Sequence, residues 1–160
     1  MADTSKKTFI VFSGEMDKAL AAFVMANGAA AMGDDVTMFF TFWGLSIVRK
    51  PQRVATSGKS RLQKIFDALT PRGADHLKLS KLNFAGVGRR MMNRVMTEQH
   101  IMSLDELMST AREQGVKMLA CTMSMDMMGL KPEEMLDGLE FVGVASYLAE
   151  AEESSLNLFI

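Results

Sequence analysis

The sequence predicts a single three-layer α/β/α domain, residues 1–160, with a mainly parallel sheet of about five strands. Two observations carry that prediction. Short apolar runs of strand length alternate with longer segments of helical composition along the whole chain. The early runs also end at turns, Ser13-Gly14 and Trp43-Gly44, and a later one ends at Cys121, as strand ends do along the carboxyl edge of a parallel sheet. A length of 160 residues suits one domain with a substantial core, and no internal repeat is visible.

Taken in order, Thr8 to Phe12 reads as a first strand. Glu15 to Ala31 reads as a helix with a stripe of Met16, Leu20, Phe23, Ala26 and Ala30 near the helical period. Gly33-Asp34-Asp35 closes it, and Val36 to Phe42 is a second strand. Pro51 to Ser60 is a loop, and Ser60 with Gln63 forms a capping box for a helix through about Leu69. Lys78 to Leu82 is ambiguous between strand and loop. Arg89 to Glu98 is a helix rich in Met and Arg. Residues 49–100 together are read as a mobile cover over the site.

Ser103 and Glu106 form a second capping box, ahead of a buried face of Leu104, Leu107, Met108 and Ala111. Gly115 ends that helix. Val116 to Ala120 is a buried strand leading to Cys121, and Thr122 to Gly129 turns into a short helix with Ser124 as its N-cap. Pro132 starts another short helix that closes near Gly138. Leu139 to Val142 is a strand, Ala145 to Glu153 a helix, and Leu156 to Ile160 the last strand.

Composition narrows the class. Apolar residues make up 48% of the chain, so it folds rather than staying disordered. One cysteine excludes an internal disulfide and a Cys-rich metal site. The N-terminal MADTSKKTFIVFSG has too short an apolar stretch for a signal sequence. The longest apolar run, Val36 to Val48, falls short of the roughly 20 residues of a membrane span. A soluble, cytoplasmic protein is therefore expected. The near-zero net charge hides an asymmetry: residues 1–100 carry 15 basic and 8 acidic groups, and residues 101–160 carry 3 and 11. The basic positions cluster in Arg49 to Lys64 and Arg72 to Arg94 and could meet an acidic protein or an anionic ligand; the preferred reading is that the fold mixes both halves on one surface. No nucleic-acid partner is expected.

Several motifs fail on inspection. Ser57-Gly58-Lys59-Ser60 resembles the end of a phosphate loop, but Arg53 stands where its first Gly belongs. Gly86-Val87-Gly88 has Met91 in place of the third Gly of a dinucleotide fingerprint. Cys121-Thr122-Met123-Ser124 has Ser where a redox pair has its second Cys. His76 and His100 are isolated, so no metal site is expected. The 16 methionines, Met123, Met125, Met127 and Met128 among them, could offer soft ligands to Cu(I). Packing of an irregular pocket or an interface between copies is the preferred reading.

Cys121 is the candidate catalytic residue. A thiol delivered by a strand to the start of a helix meets free amides and the positive end of the helix dipole, which favour the nucleophilic thiolate. The competing reading is a small buried hydrophobe. Ser13, Gly14, Phe42, Trp43 and Gly44 share the carboxyl edge with it. Ser124 and Asp126 follow in the next helix, Asp126 as a helix-start residue.

The stretches FFTFWGL, Phe39 to Leu45, and CTMSMDMMG, Cys121 to Gly129, with the Ser13-Gly14 turn and the order of elements, carry a resemblance. The chain resembles the DsrE/DsrF family of small sulfur-relay proteins, and is most similar to its DsrE2-like branch. The resemblance implies a parallel α/β fold, homo-oligomers, and Cys121 as a carrier of sulfur in persulfide form. The donor it implies is a rhodanese-like protein and the acceptor a TusA-like carrier, with no cofactor required. Amides after Cys121 and the Ser124 hydroxyl would stabilise the persulfide anion, while Phe42 and Trp43 shield it from water. Two other classes fit the same residues: a binding module for a small anionic or thioester ligand, and an oligomeric scaffold.

Overall fold

The structure, a computed structural model, describes residues 5–160. The first four residues, part of the N-terminal segment read above, lie outside the described residues. Five parallel strands form one sheet in the order β4-β3-β2-β1-β5: β1 Lys6–Val11, β2 Asp35–Phe40, β3 Lys117–Cys121, β4 Glu140–Val142 and β5 Leu156–Phe159. The helices are α1 Met16–Ala31, α2 Arg61–Leu69, α3 Val87–Glu98, α4 Leu104–Glu113, α5 Thr122–Met128 and α6 Val144–Glu152. The predicted α/β class and strand number therefore hold.

Alternation along the strands sorts their side chains onto two faces. Phe9, Val11, Val36, Met38, Phe40, Met118 and Ala120 enter the main core. Helices α1 and α4 pack together over that front face. The small buried residues Ala19, Ala22 and Ala26 of α1 let a neighbour approach closely, and Asn27 Nδ2 donates to the Leu107 carbonyl at 2.9 Å. All four residues of the predicted α4 face are buried. Each fully buried Phe, Leu or Met contributes about 1.5–3 kcal/mol.

The chain steps from β1 to β2, β3 and β4 in one direction, and then crosses the sheet to place β5 beside β1. Parallel connections are right-handed, so a reversal of direction also moves the connecting helix to the other face. Helix α6 makes this return. Its only buried residue, Tyr147, packs in a second cluster with Phe39, Leu119 and Cys121. Among the described residues, the back layer is thus one short helix.

Both predicted capping boxes form. Two expectations are corrected, and one left open between strand and loop is decided. Strand β2 ends at Phe40, because Phe42 turns to φ 45° and Phe42–Ser46 winds into a 3-10 turn. Residues 78–82 form no strand; this loop is clasped to the start of α1, with Met16 N donating to the Lys78 carbonyl at 2.8 Å and Ser80 N to Asp17 Oδ1 at 2.9 Å. Beyond Pro132 there is only a 3-10 turn, Pro132–Glu134, followed by an isolated bridge between Met135 and Arg49.

The segment after β2 is anchored rather than loose. Arg49 is fully buried and pairs with Asp67 and with Glu134, the latter at 3.4 Å. Lys59 reaches Asp67 at 2.8 Å and Glu134 at 2.6 Å, and Arg72 reaches Asp67 at 2.6 Å. Burial lowers the pKa of Arg49, and the like charge of Arg72 adds to this. Burial also pushes the Asp67 carboxyl up, but hydrogen bonds from Lys59 and Arg49 outweigh it and hold the pKa below the ordinary 3.8. This cluster fixes residues 49–72 against the 3-10 turn at Pro132, so that part of the expected mobile cover is pinned.

Candidate functional site

The ends of β1, β2 and β3 meet at the carboxyl edge, as the sequence led one to expect. Thr41 N donates to the Val11 carbonyl at 3.1 Å, and Gly44 N to the Phe12 carbonyl at 2.8 Å. A Cβ on Gly44 would lie 2.0 Å from the Val11 oxygen, and one on Gly14 would lie 2.6 Å from the Trp43 oxygen. Only glycine permits this approach at either place. The hydroxyls of Thr41 and Ser124, both buried, lie 2.7 Å apart and tie the end of β2 to α5.

Cys121 ends β3 and is itself the N-cap of α5, with no capping hydrogen bond from its thiol. Ser124, expected as the cap, stands inside the helix, where its hydroxyl is engaged with Thr41. Asp126 falls in the second half of α5 rather than at its start, and it is exposed; its backbone carbonyl accepts from Gln63 Nε2 at 2.8 Å.

The orientation of the thiol follows from strand parity. Met118 and Ala120 face the front core, so Leu119 and Cys121 face the back. Cys121 is 0% exposed in the cluster with Phe39, Leu119 and Tyr147, flanked by the half-buried Ile10, Val142 and Ala151. Phe42 and Trp43, expected to shield the thiol, are not part of that cluster, and neither are Met123 and Met125. Met125 joins the front core, Met123 is exposed, and Trp43 is 47% exposed. Phe42 packs on Phe12 at a centroid distance of 5.4 Å. Ser13 is half-buried near Lys18 Nζ at 3.4 Å. Phe39, Leu119 and Tyr147 were missed as neighbours of the thiol. Parity alone assigns Leu119 to its face, and the β2–β3 register pairs Phe39 with Leu119.

Topology marks the same place. Cys121 and Val142 are register partners on β3 and β4. After Cys121 the chain leaves to the front through α5, and after Val142 it leaves to the back through α6. Adjacent parallel strands whose exits diverge open a crevice beyond their carboxyl ends, which is where ligands bind in such sheets. Thr122 Oγ1 bridges the gap, donating to the Val142 carbonyl at 3.3 Å. A separate cleft of about 510 Å³ lies between the end of α3 and the start of α4, lined in part by Met16, Met96, His100 and Asp105. None of the predicted site residues lines it. Burial and then the nearby Asp75 raise the Asp105 pKa there.

Comparison with known proteins agrees with this architecture. Residues 4–159 match the model of the DsrE/DsrF/DrsH-like family. The chain belongs to that family. It is 50% identical over 157 residues to the uncharacterised protein YrkE of Bacillus subtilis (strain 168), covering 98% of each chain. It is 31% identical over 162 residues to the sulfur carrier protein DsrE2 of Allochromatium vinosum, covering 99% of each. Among solved structures it is similar in fold to the ychN protein of E. coli, with a TM-score of 0.52, 11% identity and coverage of 97% of this chain and 99% of that one. MTH1491 of Methanobacterium thermoautotrophicum gives a TM-score of 0.54 at 13% identity, over 98% and 99% of the two chains. Family and relatives together support a role in sulfur relay. Among the described residues, no helix is long and apolar enough to cross a membrane.

Proposed function

We propose that the protein carries sulfur as a persulfide on Cys121, between a rhodanese-like donor and a small TusA-like acceptor. The observation that supports this most is the position of Cys121 at the divergence of β3 and β4, in a chain whose full-length relative is named a sulfur carrier. The chemistry is two displacements at sulfur. The Cys121 thiolate attacks the terminal sulfur of the donor persulfide; the donor S–S bond breaks, the donor leaves as thiolate, and Cys121 holds the persulfide. An acceptor thiolate then attacks that terminal sulfur, and Cys121 departs as thiolate. Atoms and electrons balance with no added oxidant, and no cofactor is required.

The remaining residues act in this reading as a frame. Ser13, Gly14, Phe42, Trp43 and Gly44 hold the edge rigid, while Ser124 fixes α5 to β2. The first turn of α5 offers amides that no helical carbonyl can satisfy, and these suit a sulfur anion. Asp126 stands on the outer side of α5 as a contact for a partner protein. Because the resting thiol is sealed, transfer requires α6 to lift. A helix with one buried residue is the cheapest cover to displace. We place the protein in the cytoplasm as a homo-oligomer.

The test is intact mass after incubation with thiosulfate and a rhodanese. One added sulfur atom is expected on the wild-type chain, removable by cyanide or by an acceptor thiol, and none on Cys121→Ser. An adduct that survives the substitution, or a wild-type chain that never loads, would overturn the assignment. Failure to load would leave Cys121 as a packing residue of the back cluster.

A further inference from the structure

Helix α2 sits on the protein inside out. In RLQKIFDAL, Leu62, Ile65, Phe66 and Leu69 fall at i, i+3, i+4 and i+7, the spacing of a face that normally packs on a core. All four are exposed, from 47% at Phe66 to 80% at Leu69, and α2 buries no residue at all. The helix is held by its polar side instead. Asp67 enters the ion cluster with Arg49 and Lys59, and Gln63 bonds to the Asp126 carbonyl and closes the capping box with Ser60. Rolling α2 to bury its stripe would pull Asp67 from three cations. The apolar face is therefore fixed outward.

The stripe is flanked by Arg61 and Lys64, both exposed and outside every ion pair among the described residues. The back of the molecule has the complementary pattern. On α6, Val144 and Leu148 are exposed one turn apart. Their neighbours Glu140 and Glu152 are exposed and likewise unpaired among the described residues.

We propose that α2 of one copy docks against α6 of a second copy of this chain. Two α2 helices facing each other would set Arg61 and Lys64 against their own like charges. The α6 surface offers apolar side chains with acidic neighbours. The contact is heterologous, so each copy uses a different surface as giver and as receiver, and assembly continues until a ring closes. The proposal rests on the homo-oligomer part of the reading above and not on its sulfur chemistry. Its bearing on that chemistry is direct, since α6 covers Cys121: the α2 of each copy lies against the lid of the next copy's thiol.

The experiment uses light scattering at tens of micromolar on three variants that leave the core untouched: Arg61→Glu with Lys64→Glu, Glu140→Lys with Glu152→Lys, and all four changes in one chain. The wild type should exceed a dimer, each pair alone should fall to the 17.6 kDa monomer, and the combined chain should reassemble. On the wild type, carbodiimide cross-linking should join Lys64 to Glu140 or Glu152 between copies. Pairs that assemble like the wild type, or a wild-type dimer with no such cross-link, would overturn the α2–α6 contact and leave the homo-oligomer intact. A wild-type monomer would overturn both.

Discussion

The ring of Tyr147 stacks on that of Phe39, with centroids 4.6 Å apart and planes 20° apart. This pair belongs to the buried cluster around Cys121 and joins the single back helix to the centre of the sheet. The Tyr147 hydroxyl lies 3.2 Å from Thr8 Oγ1, and Thr8 donates its one proton to Asn157 Oδ1. Tyr147 is therefore the donor to Thr8. One side chain thus anchors α6 to β1 and β2 at once.

Loosening that anchor should expose the thiol. Tyr147→Phe removes a buried hydrogen bond worth about 1 kcal/mol. Alkylation of Cys121 in the folded protein should accelerate roughly fivefold if α6 lifts locally. Tyr147→Ala should give a larger effect, with a loss of about 3–5 kcal/mol of global stability. Timed iodoacetamide labelling with mass detection, compared with the unfolding rate of the same variant, is the measurement. Labelling that never exceeds global unfolding would show that the back helix does not open by itself.

The buried ion cluster should be costly to break from one side. Glu134→Ala leaves Arg49 and Lys59 short of a carboxylate in a buried place, and a loss of about 3–5 kcal/mol is expected. Urea unfolding measures it. Hydrogen exchange should show α2 losing protection before the sheet does, because its polar side is its attachment.

Acid should weaken the same cluster with a defined sign. The folded pKa of Asp67 lies below its ordinary value. Its contribution is complete above the unfolded pKa, near pH 4. It is lost as the pH falls through the lower folded value. Urea midpoints between pH 6 and pH 3 should drop for the wild type, and Asp67→Asn should start less stable and drop less. Parallel curves for the two proteins would contradict this.

Two glycines give opposite expectations for the same change. Gly44→Ala drives a Cβ into the Val11 carbonyl, and Gly44 is buried at the junction of β1 and β2. A loss on the order of 3 kcal/mol or more is expected. Gly28→Ala, within α1 and with nothing near its Cβ, should stabilise by about 0.5–1 kcal/mol. Thermal midpoints of the two variants against wild type decide both.

Most of the fold was readable because its signals are local. The capping boxes at Ser60 and Ser103 depend on residues three apart, and the α4 face on a single helical period. What was not readable depends on pairs far apart in the chain. Arg49 and Glu134 meet across 85 positions, and a loop arginine looks like any solvated charge until its partners are placed. The outward face of α2 is hidden for the same reason, since its pattern predicts burial and only the ion cluster reverses it.

The site was legible in part. Strand ends converging on one edge follow from alternation of strands and helices, and Gly14, Gly44 and Ser124 fall there. The side to which Cys121 points required knowing which face each crossover covers. That depends on the return of α6, and nothing local to Val116–Leu130 carries it.

The strand order has a consequence for synthesis. β1, made before every other strand of the sheet, ends up between β2 and β5. Its β2 partner follows within one helix, but β5 emerges after all the other elements. At the usual pace of roughly 5–20 residues per second, one edge of β1 stays bare for on the order of ten seconds or more. An unpaired strand edge is a template for the wrong chain. On crowded polysomes neighbouring nascent copies carry the same bare edge. Lys6 and Lys7 at the head of β1 make those edges repel one another while they wait.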